Sequence, residues 1–114
     1  MEDNFTKEQQ EKIIKLQSLE QNLQHLLAQK QQIQSQAIEV ESAQEEVSKS
    51  KNKVFKIVGS VMIESTKETL EKDLNAKKEI FELKLKKIEK HEEKIKEESK
   101  HLQEEILKSM QNGQ

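Results

Sequence analysis

The chain has 114 residues and a net charge of −2, with 37% charged, 32% hydrophobic and only 3% aromatic residues, and no Trp, Tyr, Pro or Cys. That is too little apolar material for a compact core, so the chain is either disordered or a long helix whose narrow stripe is buried against another helix. The lack of Cys excludes disulfides and thiolate metal sites. A near-neutral balance without Arg and with almost no aromatics excludes both the charge excess and the stacking platforms that nucleic-acid binding needs.

The first arm is predicted as a helix over residues 6–48. "TKEQ" at its start reads as a capping box, with Thr6 as the cap and Gln9 reaching back. Leu16, Leu19, Leu23, Leu26, Lys30, Ile33, Ala37, Val40, Gln44 and Val47 then follow in alternating steps of three and four. That is the a/d seam of a coiled coil, sustained over about four heptads. The periodicity decides against disorder.

A polar joint, "SKSKNK" (Ser48 to Lys53), leads to the one apolar island, "VFKIVGSVMIEST". Its Val- and Ile-rich alternation is strand chemistry, predicted as a β-hairpin over residues 54–64. Gly59-Ser60 fits a two-residue type II′ turn in which Gly supplies positive φ. Val58 then faces Val61, Ile57 faces Met62 and Lys56 faces Ile63. One face carries Val54, Val58, Val61 and Ile63, and the other carries Phe55, Ile57 and Met62. A lone two-stranded hairpin is marginal in water, and one that is apolar on both faces is an aggregation hazard. The island is therefore expected to pair with hairpins of other chains, with Val54, Phe55, Ile57, Val58, Gly59, Val61, Met62 and Ile63 as the assembly residues.

The second arm is predicted as a helix over residues 66–110, capped by "STKE" through Ser65 and Glu68. Leu74, Phe81, Ile88, Ile95 and Leu102 recur at heptad spacing as d positions. Glu71, Lys78, Leu85, Glu92, Ser99 and Ile106 are the a positions, so this seam is only half apolar. One antiparallel register satisfies both arms. It sets Leu16 opposite Leu102, Leu23 opposite Ile95, Ile33 opposite Leu85 and Ala37 opposite Phe81. A parallel homodimer would need no island and would face Glu92 with Glu92. The expected fold is mostly α: an antiparallel two-helix coiled coil with a single β-hairpin at the bend, one domain over 1–114, the hairpins assembling into an inter-subunit β-barrel.

Other chemistry finds no support in the residues. "HEEKI" at His91 carries Ile95 where a zinc-binding H-E-x-x-H needs a second His, and His25 and His101 read as solvated surface residues. The carboxylates alternate with Lys at helical spacing, as on an ion-paired solvated face, and no Gly-rich phosphate loop exists. No enzyme, cofactor or metal is expected. No apolar run reaches transmembrane length, and "MEDNFTKEQQ" lacks the layout of a signal peptide, so the expected address is cytoplasmic, with no membrane partner.

The stretch "VFKIVGSVMIESTKE", Val54 to Glu68, resembles the V-Y-K-hydrophobic-V-G turn and following strand of prefoldin, β-type, and "LEKDLNAKKEIFELKLKKIEKHEEKI" resembles that family's second helix. Phe55 stands where Tyr is common, and "SKSKNK" lacks the acidic, Pro-containing run often found there. The single hairpin matches β-type subunits, since α-type subunits carry two. The β type and the absence of Arg fit an archaeal source, with a eukaryotic β-class subunit as the alternative, and the resemblance implies a hexamer of two α-type and four β-type chains joined through β-barrels. Helical arms would hang from it, their tips holding unfolded polypeptide for delivery to a group II chaperonin without ATP. Phe5, Ile13, Ile14, Leu107 and Met110, apolar and off or beyond the seam near the chain ends, are the candidate client-binding residues. A coiled-coil scaffold or adaptor that uses its hairpin only to assemble is the alternative, and it differs in needing nothing from those residues.

Overall fold

The computed structural model describes residues 5–112, in the order α1 (Lys7–Lys49), β1 (Val54–Val58), β2 (Val61–Ser65) and α2 (Lys67–Gln111). The chain divides into two units: Met1–Gln29 with Lys87–Gln114, here the chain-end unit, and Lys30–Lys86, the hairpin unit.

Helix α1 begins as the sequence expects. Thr6 is the cap: its hydroxyl accepts the Gln9 N–H at 3.1 Å, and Gln9 Oε1 accepts the Thr6 N–H at 3.0 Å. At its other end Ser48 Oγ donates to the Glu45 carbonyl, the Ser50 N–H donates to the Val47 carbonyl, and Lys67 Nζ donates to the Ser48 carbonyl at 2.8 Å. An ammonium on a terminal carbonyl suits both the unsatisfied acceptor and the negative end of the helix dipole.

The cap of α2 differs from expectation. The Thr69 N–H donates to Thr66 Oγ1 at 3.1 Å, so the cap is Thr66 and not Ser65. The reason is the sheet: Ser65 is the last residue of β2 and pairs with Val54, which carries the strand one residue further. Thr66 is the next residue with capping chemistry.

The hairpin register is the expected one, with Val58 opposite Val61, Ile57 opposite Met62 and Lys56 opposite Ile63. Gly59 has φ +61°, and among the described residues no other residue has positive φ, so Ser60 is negative. Positive then negative φ is the type II′ pattern and excludes type I′.

Every seam position named for α1 and for α2 is buried or half-buried. In the chain-end unit Leu19, Leu26 and Ile95 form the buried cluster, with Leu23, Ile88 and Leu102 packed against it. The seam there is not purely apolar. Glu92 is buried too, and Ser99 Oγ is buried without a hydrogen-bond partner among the described residues. In the hairpin unit Val40 is the buried apolar residue, and Gln44 Nε2 donates to Asn75 Oδ1 at 2.7 Å, one position from its expected partner Leu74.

Candidate functional site

Two surfaces hold the residues that the sequence singles out, one in each unit. In the hairpin unit, Phe55, Ile57, Val58, Val61, Met62 and Ile63 are all exposed, and Val54 is half-buried. Strand alternation puts Phe55, Ile57 and Met62 on one face and Val58, Val61 and Ile63 on the other. Both faces thus keep about half or more of their large apolar side chains' surface open among the described residues. Burying a side chain of this size is worth about 1.5–3 kcal/mol, so the hairpin carries a large unspent driving force for association.

An ion pair ties the hairpin to α2, and a second closes its base. Lys56 Nζ lies 3.2 Å from Asp73 Oδ2 on α2, and Lys53 Nζ lies 3.2 Å from Glu64 Oε1 across the strands. Both pairs are largely solvated and individually weak. Phe55 lines two open grooves. One is completed by Val47, Ser50, Val54 and Leu70, and the other by Ala43, Val47, Ile57, Leu70, Leu74 and Ala76. An aromatic ring at this joint shares these grooves with aliphatic side chains of both helices, and phenylalanine brings no phenolic oxygen that would require a partner.

In the chain-end unit, Ile14 is 64%, Leu107 58% and Met110 47% exposed, while Phe5 and Ile13 are half-buried. All five candidate client-binding residues thus belong to one unit, and three of them present most or about half of their surface. Beneath them lies a set of polar contacts that the sequence reading did not assign. Gln9 Nε2 donates to Ser109 Oγ at 2.6 Å, and Lys12 Nζ lies 3.5 Å from Glu105 Oε2, both linking α1 to α2. A signal existed: Gln9 and Ser109 fall one heptad outward from Leu16 and Leu102 on the same seam.

Among the described residues no group of three or more His, Cys, Asp or Glu side chains is placed to hold a metal ion. His101 Nε2 lies 3.3 Å from Glu105 Oε1 at an exposed position. No helix among the described residues is long and apolar enough to cross a membrane.

Two long helices joined by a two-stranded β-hairpin that is apolar on both faces define a class of fold: helical coiled-coil arms with a hairpin at the bend. Residues 10–113 match the family described as "Prefoldin subunit". Prefoldin subunit beta of Sulfurisphaera tokodaii is 33% identical over 93% of this chain and 86% of its own length. That of Methanothrix thermoacetophila is 35% identical over 89% and 86%. Among solved structures, the prefoldin beta subunit from Thermococcus strain KS-1 is similar, with a TM-score of 0.88, 29% identity and coverage of 95% of this chain and 96% of that one. The chain belongs to the prefoldin family and resembles its β subunits, so its role is that of a chaperone component in a family not known for catalysis.

Proposed function

We propose that this chain is the β-type subunit of a cytoplasmic, ATP-independent co-chaperone. It assembles with α-type prefoldin subunits and further copies of itself into a hexamer of two α-type and four β-type chains. The complex captures non-native polypeptides and passes them to a group II chaperonin. The observation that carries the assembly half is the hairpin: apolar side chains stand exposed on both faces of a two-stranded sheet, which a soluble protein covers with a partner. The capture half rests on Ile14, Leu107 and Met110. Non-directional apolar contact suits clients that share no sequence, and a flexible thioether adapts to changing shapes. Several weak contacts on one body reach useful strength by avidity.

Native mass measurement tests the assembly half, on the chain alone and after mixing with an α-type prefoldin subunit. A shift to a single species of two α-type and four copies of this chain is expected. A stable dimer or tetramer of this chain that ignores the α-type subunit would favour the scaffold reading.

A further inference from the structure

The chain-end unit reverses the usual coiled-coil pattern at its outermost layer. Gln9 occupies an a position and Ser109 the facing d position, where apolar residues are ordinary. Yet Gln9 is only 2% exposed. Its amide is used at both ends: Oε1 accepts the Thr6 N–H at 3.0 Å and Nε2 donates to Ser109 Oγ at 2.6 Å. The next position inward is Lys12, whose Nζ lies 3.7 Å from Glu8 Oε1 and 3.5 Å from Glu105 Oε2. Polar groups thus share the inside of this end with half-buried Ile106 while Ile14, Leu107 and Met110 stand outside.

Helix geometry offers one of those apolar residues a place inside. Ser109 follows Ile106 by three residues and Met110 follows it by four, so both lie close to the seam face. A modest rotation of the last turn of α2 would exchange Ser109 for Met110, and burial of apolar surface favours that exchange. The Gln9 amide opposes it. With Ser109 turned away, a buried donor would lose its partner, and a buried amide without a partner is costly. A single polar a position is an established way to fix one register against apolar alternatives.

We infer that Gln9 and Ser109 form a clasp that keeps Met110 from burying itself in the seam of this unit, which makes Gln9 a positioning residue for capture of non-native chains. This rests on the capture reading above, with Met110 among the gripping residues. The clasp trades stability of the bare arm for an exposed apolar surface.

The test uses the full-length chain and its own Met110. Hydrogen peroxide oxidises thioethers according to exposure, and free N-acetylmethionine in the same solution is the reference for Met110, because Met62 lies on a hairpin face assigned to assembly. In Gln9→Leu the clasp is gone and an apolar partner waits in the seam. Oxidation of Met110 relative to the free N-acetylmethionine should slow at least about threefold. The protein's ability to keep a chemically denatured protein from aggregating should fall by a similar factor, with the thermal midpoint unchanged or raised. In Gln9→Leu/Ser109→Leu the facing position is filled by Leu, so Met110 should return outside and both readouts should recover. Met110 oxidation in Gln9→Leu at or above the wild-type rate would overturn the clasp. Slowed oxidation with undiminished holding activity would overturn the positioning role. If Leu107→Asp/Met110→Asp holds clients as well as wild type, the capture reading itself fails, and the oxidation ratio still judges the clasp independently.

Discussion

The hairpin and the chain-end unit both leave large apolar side chains in water, but they do so on different supports. In the hairpin the apolar residues alternate onto both faces of a sheet pinned by a two-residue turn, so a rearrangement that hid one face would leave the other in water. In the chain-end unit one of them, Met110, flanks a seam that could accept it, and a polar layer closes the outer end of that seam instead. Exposure in the first is a consequence of topology. In the second it is maintained by specific hydrogen bonds. The first arrangement suits a fixed interface with a defined partner, and the second a surface that meets many partners.

The largest effect that separates the two surfaces should come from a charge in the hairpin. Val58→Asp or Ile63→Asp would place an unpaired carboxylate inside any interface that covers these faces, a cost of several kcal/mol. Association should be abolished in native mass measurements while helical circular dichroism is largely kept. Loss of helix in parallel with association would show instead that the arms depend on assembly, which the half-polar seam of α2 makes a real alternative outcome.

The reciprocal change is Leu107→Asp/Met110→Asp. Association should be intact and protection of a denatured client from aggregation should fall at least about tenfold, the effect of removing two buried apolar contacts from a weak, multivalent grip. Full protection by this variant would leave the chain-end residues as mere caps of the coil.

Much of this architecture can be read from the residues, and the parts that cannot share a physical cause. The seams are legible because Leu, Ile, Val and Phe recur at heptad spacing in both arms and one antiparallel register serves both. The hairpin register is legible because Gly59-Ser60 admits a type II′ turn and alternation does the rest. The cap of α2 is not. Ser65 and Thr66 both have capping chemistry, and only the long-range pairing of Ser65 with Val54 decides between them. Gln9 and Ser109 carry heptad positions but polar side chains, so in one dimension they read as the seam running out rather than as a bonded layer. The hairpin's exposure could be argued from composition. A role for Ile14, Leu107 and Met110 could not, because apolar residues near helix ends are common, and that assignment came from the resemblance to prefoldin.

A smaller effect tests the turn that makes the hairpin's exposure unavoidable. Gly59 has φ +61°, and a Cβ built there meets nothing within 4 Å, so Gly59→Ala suffers from backbone conformation alone. An L-residue in that region costs about 1–2 kcal/mol. Assembly should weaken by roughly tenfold without the complete loss expected for Val58→Asp. An unaltered association constant would mean that the turn relaxes freely and that the hairpin's register is set by its partners.

The smallest change probes the chain-end unit below its polar layer, at Ser99. Its hydroxyl is buried without a partner among the described residues, at an a position that the register sets opposite buried Leu19. A buried, unsatisfied hydroxyl is a net cost, and Ser is a poorer helix former than Ala. Ser99→Ala should therefore stabilise the chain by about 0.5–1.5 kcal/mol, read as a higher thermal midpoint. If the seam is polar only where a bonded clasp requires it, holding activity should stay at the wild-type level, because Ser99 makes no hydrogen bond that could set the register. If Ser99→Ala instead lowers holding activity while raising stability, a looser helix pair is itself part of capture. The contrast between the two units would then be rigid hairpin against compliant arm, rather than uncoverable face against clasped one.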